Sequence, residues 1–223
     1  MTRLGNAIPK DVVHSHWVEI RETRREDIPS LLQVEEAAWP DFLRFDESHF
    51  ESHMDVFPAG SICAIVKDRI VGTATVQVVR WQDIACLSEW TWYTATDNGY
   101  IRKTHNNKGD TIYGVSLSVH PKYRASYVGI VMMEHYRRMI IQKNLRQAIV
   151  EARITGFAEA YTKNKRLVAE MYVRSEESDP DLDFYKRLGM QLVTVVPNYV
   201  QDPDSLNYAA IMAWRNPLFV GGE

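Results

Sequence analysis

Two cysteines in 223 residues, Cys63 and Cys86, exclude a disulfide-stapled scaffold. Both sit in apolar surroundings outside any C-x-x-C pair, and they read as buried free thiols of a reducing compartment. No stretch approaches the roughly 18 continuous apolar residues of a membrane span. The first residues, "MTRLGNAIPKDVVHSHW", lack an apolar core of signal-peptide length. The chain is therefore expected in the cytoplasm, away from membranes. Charge of one sign is scarce too: 26 basic against 29 acidic residues leave a net charge of -3. That excludes a broad basic face and, with it, nucleic acid as a partner. Repeats, low-complexity tracts, a P-loop and a G-x-S-x-G elbow are all missing. "HSH" at 14–16 has no third ligand at a metal-site spacing, so no metal is expected. His49 and His53 lie four apart without the H-E-x-x-H pattern and read as a solvated helix face.

What is present is an alternation of strand and helix patterns. Residues 1–16 form an arm without a clear period, 17–215 a single mixed α/β domain, and 216–223 a tail. "WVEIRET" alternates as a strand, and a helix follows with Asp27 as N-cap, Pro29 in its first turn and Pro40 as its stop. Residues 46–57 give a shorter helix. "SICAIVKDRIVGTATVQVVRW" is a hairpin turning at Lys67–Arg69, and Gly72 marks a bulge or a close backbone approach. Residues 82–110 are irregular, aromatic and polar, which suits a functional loop. A strand (111–121), a helix to about Lys143 and a strand (147–153) follow. After them come helix-patterned residues at 167–173, a short helix closed by Gly189, and two last strands.

The join "HPKYRASYVGIVMMEHYRRMI" (120–140) runs from a strand through a short basic loop into a helix. Val128, Val131, Met132, His135 and Met139 share one helical face. The helix start offers free N–H groups and the positive end of a macrodipole, beside Lys122 and Arg124. That combination makes an anion cradle suited to a pyrophosphate, and the bare Gly129 lets a ligand or a neighbouring strand come close. A plain strand-to-helix connection is the alternative.

"SLSVHPKYRASYVGIVMM" resembles the acetyl-CoA-binding motif of the GNAT N-acetyltransferases, and "DFYKRLGMQLV" resembles that family's late F-Y-x-x-x-G segment. The element order is similar as well. "GDTIYGVSLSVHP" and the C-terminal "VPNYVQDPDSLNYAAIMAWRNP" are similar to the acetyltransferase-like domain found fused to nitrilase-type hydrolases, whose hydrolase half finds no room in this chain. Arg124 matches the leading basic residue and Gly129 the second glycine; Tyr127 stands in place of the first.

The resemblance implies a mixed, mostly antiparallel central sheet flanked by helices, and acetyl-CoA or another acyl-CoA as co-substrate. A backbone N–H among Leu117, Ser118 and Val119 would polarise the thioester carbonyl. The loop Arg124, Ala125, Ser126, Tyr127, Val128, Gly129 and Ile130 would hold the pyrophosphate. Tyr185 would protonate the departing thiolate. The general base is open between Glu151, Glu89 and a water chain. Trp90, Trp92, Tyr93 and Tyr100 would wall the acceptor, a small-molecule or peptide amine, with Asp97 attracting its charge. The resemblance further implies a homodimer. Three readings follow: an N-acetyltransferase; an acyl-CoA-binding module of weak activity, which Tyr127 favours; and an acyltransferase using a longer or carrier-bound acyl donor.

Overall fold

The computed structural model describes residues 18–86, 89–124 and 126–221. The arm over 1–16, its "HSH", and Ala125 lie outside the described residues. The alternating runs become β1 (Glu19–Glu22), β2 (Ser61–Val66), β3 (Arg69–Val79), β4 (Thr111–Val119), β5 (Gln147–Arg153), β6 (Gln191–Val196) and β7 (Ala209–Arg215). They form one sheet in the order β1-β2-β3-β4-β5-β7-β6. Only the central β4–β5 pair is parallel. The helices are α1 (Ile28–Ala38), α2 (Glu47–Val56), α3 (Trp81–Ala85), α4 (Trp92–Thr96), α5 (Val128–Gln142), α6 (Phe157–Lys163), α7 (Ala169–Arg174) and α8 (Pro180–Arg187). The expected mixed α/β sheet is the one found, and α3, α4 and α6 are short helices that the pattern left irregular or unassigned.

Several local expectations are corrected. Asp27 does not cap α1: its carboxylate pairs bidentately with Arg21 (2.6 and 2.8 Å) and accepts from Arg24 N–H (2.8 Å), closing the turn before the helix. The hairpin turns at Lys67 and Asp68, both at positive φ (49° and 59°), the geometry that fits the twist of two-residue hairpins. A bulge lies in β3 just before Gly72, where Ala64 pairs with Gly72 and Ile65 with Ile70. Gly72 is also a close approach, since a Cβ there would stand 3.1 Å from Met132 Sδ. The buried stripe of α5 is Val128, Met132, Met133, Tyr136, Met139 and Ile140; Val131 and His135 are only half-buried, so the covered face is rotated from the expected one.

Cys63 is buried as expected, but Cys86 is exposed, because it closes the short surface helix α3. His53 is not solvated. It is fully buried, with Nε2 on the Gly99 carbonyl (2.7 Å) and Nδ1 on Thr75 Oγ1 (3.1 Å), and burial lowers its pKa to about 4. His49 stacks on Tyr100 at 4.1 Å between centroids. Residues 216–220 fold back on the α5–β5 turn: Asn216 donates to Leu145 O (2.8 Å) and Val220 N–H to Asn144 Oδ1 (2.9 Å).

Candidate active site

The site begins with a failure of strand pairing. β4 and β5 pair only over Thr111–Tyr113 against Gln147–Ile149. Beyond that, β4 carries one extra residue: Thr75 pairs with Ser116 but Val76 with Gly114, so Val115 is a bulge. Bulges bend the strand that carries them. From Gly114 onward the β5-facing edge of β4 has no strand partner, so its backbone polar groups are open to a ligand. A cleft of about 380 Å³ occupies the gap, within the range of small-molecule sites.

Met133 and Tyr136 of α5 and Phe184 and Tyr185 of α8 line one side. Trp39, Phe45, Trp92 and Tyr93 add an aromatic lining. Tyr136 is fixed by its hydroxyl proton, shared between Gly60 O and Ala74 O, each 3.0 Å away. Trp92 donates from its indole to the bulge carbonyl of Val115 (3.0 Å), so the aromatic wall is tied to the bend that opens the cleft.

Glu151 lies at the fork. Its Oε1 accepts from Tyr199 Oη at 2.5 Å. Its Oε2 sits 3.5 Å from where a Cβ on Gly114 would stand, against the unpaired β4 edge. Burial pushes its pKa up to about 7, with hydrogen bonds from Tyr199, its own backbone and Tyr113 pulling the other way. Tyr185 lines the same cleft from α8, and burial raises its hydroxyl pKa far above the ordinary tyrosine value, so it keeps its proton. Asp181, one turn earlier on α8, is a cleft carboxylate whose pKa burial raises. Arg153 also lines the cleft, but its guanidinium is held bidentately by Asp202 (2.9 and 2.7 Å) and lies over the Trp39 ring (5.5 Å).

The expected base Glu89 is exposed and absent from the cleft wall; its carbonyl accepts from Thr94 Oγ1 (2.6 Å) at the start of α4. Trp90 also lies off the cleft, with its indole on Tyr113 Oη (3.0 Å). Asp97 is a left-handed residue (φ 56°) closing α4 and paired with Lys103 (3.5 Å). The structure thus brings Trp92, Tyr93, Leu117, Glu151 and Tyr185 together and leaves Glu89, Trp90 and Asp97 outside. Of the β4 end, Leu117 faces the cleft, Val119 packs towards Gly129, and Ser118 turns to the opposite face.

Ser118 leads to residues that sequence reasoning missed. Its hydroxyl donates to Glu35 in a short hydrogen bond and accepts from the Trp39 indole (2.6 Å). Glu35 is 1% exposed, accepts also from Phe45 N–H (3.2 Å), and has its pKa raised by burial. It ties the segment between α1 and α2 to β4. A signal existed: Glu35 falls on the apolar stripe of α1, beside Leu31 and Val34.

The loop into α5 has the expected place but different internal contacts. The Arg124 guanidinium donates to Ala38 O (2.7 Å) and Val119 O (3.4 Å), which ties the loop to the end of α1. Tyr127, at φ -75° and ψ 1°, needs no glycine conformation, and its side chain is 64% exposed. The missing Cβ of Gly129 makes room for Phe184, which would lie 3.2 Å away. The first-turn N–H groups of α5 stand ahead of its own ladder, with Ser126, Tyr127 and Ile130 exposed around them. That arrangement can accept a phosphate group. Among the described residues no group of three His, Cys, Asp or Glu side chains is placed to hold a metal. No helix among them is long and apolar enough to cross a membrane.

No family model matches the chain. It is 33% identical over 208 residues to the uncharacterized N-acetyltransferase YkwB of Bacillus subtilis (strain 168), covering 90% of this chain and 89% of that protein. It is 30% identical over 199 residues to the probable hydrolase YhcX of the same organism, covering 88% of this chain but 38% of that protein, a match of the kind the resemblance to a hydrolase-fused domain predicts. Among solved structures, the GphF GNAT-like decarboxylase in complex with isobutyryl-CoA is similar with a TM-score of 0.71 at 19% identity, over 88% of this chain and 98% of that one.

Proposed function

The chain belongs to the GNAT family of N-acetyltransferases, and from that premise we propose that it transfers an acetyl group from acetyl-CoA to a primary amine of a small molecule or peptide. The observation that carries this reading is Glu151. A carboxylate with a pKa near 7, one oxygen tied and the other facing an unpaired strand edge, is suited to remove a proton at neutral pH.

The cleft divides into the two halves that the reaction needs. The β4 edge and the first turn of α5 suit the pantetheine amides and the pyrophosphate of the donor. The aromatic half, with Trp39, Phe45, Trp92 and Tyr93, suits the apolar body of the acceptor, and the carboxylates of Glu151 and Asp181 attract its ammonium group. Glu151 takes a proton from the ammonium group, and the free amine nitrogen attacks the thioester carbonyl carbon. Backbone N–H groups of the β4 edge stabilise the oxyanion. As the C–S bond breaks, Tyr185, which burial keeps protonated, gives its hydroxyl proton to the departing sulfur and takes the second nitrogen proton in its place, and Glu151 returns its proton to solvent.

The test is acceptor-dependent release of CoA from acetyl-CoA across a panel of amines, with mass detection of the acetylated product. Glu151→Gln is expected to lower kcat by about 10²-fold or more with KM for acetyl-CoA within about threefold, the size of a lost general base. Absence of amine-dependent turnover overturns the reading. Thermal stabilisation by acetyl-CoA without turnover would point to the binding-module alternative, and turnover only with longer acyl-CoAs would reassign the donor. The activity named for the GphF decarboxylase suggests a second reading, loss of CO₂ from a carboxyacyl-CoA, for which Arg44 and Arg153 are the guanidinium groups on the cleft wall. Release of CO₂ from malonyl-CoA without any amine would select it.

A further inference from the structure

Glu151 is one end of a hydrogen-bond chain that the reaction as described does not use. The Trp90 indole donates to Tyr113 Oη at 3.0 Å, Tyr113 Oη is 2.9 Å from Tyr199 Oη, and Tyr199 Oη donates to Glu151 Oε1 at 2.5 Å. Tyr113 and Tyr199 are fully buried. They come from opposite sides of the fork, Tyr113 from β4 and Tyr199 from the β6–β7 connection. The main chain reinforces the unit, because Trp92 N–H donates to Tyr199 O (2.8 Å).

The donor inventory gives this chain a direction. An indole N–H can only donate, so Tyr113 must accept from Trp90. An ionised carboxylate can only accept, so Tyr199 must donate to Glu151. Tyr113 therefore donates inward, to Tyr199 and the Glu151 carboxylate beside it, and every hydroxyl proton points towards the carboxylate. Both tyrosines have their pKa pushed well above the ordinary value by burial, so neither loses its proton in the working range. The direction also decides where Glu151 is protonated. A proton on Oε1 would reverse Tyr199, and Tyr113 would then face two incoming donors with no acceptor for its own hydrogen. A proton on Oε2 leaves the chain intact.

We propose that Trp90, Tyr113 and Tyr199 form a one-way relay that occupies Oε1 of Glu151 and makes Oε2, the oxygen against the β4 edge, the atom that takes and returns the proton. Tyr113, Tyr199 and Trp90 are positioning residues, since they act through Glu151. The relay stands on the geometry of the chain, and its catalytic meaning rests on Glu151 being the base. The other groups around Glu151 do not supply this effect. Tyr185 faces it from α8 and stays protonated, and Arg153 on its own strand is held by Asp202. Asp181 on α8 adds like charge, and Arg44 and His49 line the far wall, with Arg44 bonded to Trp39 O (2.8 Å) and His49 to Asp46 (2.7 Å).

The experiment titrates the Glu151 side-chain carbon by NMR in protein labelled with ¹³C-glutamate, using Glu151→Gln to assign the resonance. Loss of a hydrogen bond to the ionised form should raise the pKa by about one unit or more in Tyr199→Phe. Tyr113→Phe should raise it less, and Trp90→Phe least, all with the same sign. Trp90 is half-buried at the outer end, so its variant keeps the test open if the buried tyrosine variants fold poorly. A Glu151 pKa unmoved in Tyr199→Phe, or moved equally by all three changes, overturns the relay. The pH dependence of acetyl transfer is measured on the same variants. A carboxyl pKa that moves while the rising limb of the rate stays fixed supports the relay and overturns Glu151 as the base. A parallel shift of both supports the two together.

Discussion

At the scale of the residue, Glu151 sets activity against stability. Its folded pKa, about 7, lies above its ordinary value of 4.5 because burial penalises the charge. A raised folded pKa means a contribution to stability that is fully present below the unfolded value and lost as pH rises through the folded one. The wild type should therefore lose stability between about pH 4.5 and pH 7 from this group. Glu151→Gln removes the cost of ionisation and should be the more stable protein above pH 7, by roughly 1–3 kcal/mol, with no such advantage at pH 4.5. Urea midpoints of both proteins at the two pH values check this, and an advantage that does not grow with pH would contradict the elevated pKa. The sequence made Glu151 visible because a carboxylate interrupts the apolar alternation of "QAIVEAR". Tyr113 and Tyr199 were invisible for the opposite reason, since a tyrosine in an apolar strand or a turn fits packing as well as chemistry. Asp97 lies off the cleft, its charge answered locally by Lys103 within the turn that its left-handed backbone makes.

At the scale of the element, the start of α5 carries the donor prediction. An anion near a helix N-terminus stabilises the helix but repels a bound phosphate. Ser126 is exposed there and accepts a long contact from Val128 N–H (3.4 Å). Ser126→Glu should leave stability within about 1 kcal/mol of the wild type, the dipole offsetting the lost turn contact. It should weaken acetyl-CoA about tenfold, and more at low salt, through charge repulsion close to the pyrophosphate. Calorimetric titration at two ionic strengths checks both parts, and unchanged affinity would place the pyrophosphate elsewhere. Element types and order were legible because periods of two and of about four residues survive in the sequence. The covered face of α5 was less so. It is set by where the β2–β3 hairpin lies beneath it, with Gly72 against Met132, and that is a long-range fact. The space that Gly129 leaves belongs to Phe184 of α8, a partner that no local pattern names.

At the scale of the whole molecule, the sheet is two halves hinged at a short joint. β1 to β4 form one half and β5, β7 and β6 the other, joined by ladder pairing at Thr111–Tyr113 alone. Only the family resemblance implies this splaying of β4 from β5, because a missing ladder between strands about 30 residues apart leaves no periodic trace in the sequence. It matters because a ligand filling the fork replaces the absent pairing and stiffens both halves together. At about a hundred times its dissociation constant, a ligand that binds only the folded state adds about 2.7 kcal/mol. For a chain of this size each kcal/mol moves Tm by about 2–4 °C, so acetyl-CoA should raise Tm by roughly 5–10 °C. Hydrogen exchange should slow at the amides of β4 from Gly114 and of β5 from Val150, with smaller effects on the β1–β2 edge. Pantetheine without the nucleotide should reproduce the exchange pattern at the fork but not the protection at the start of α5. A thermal shift without slower exchange at Gly114–Leu117 would mean that the donor binds outside the fork, and Glu151 would then be too far from the thioester to act on it.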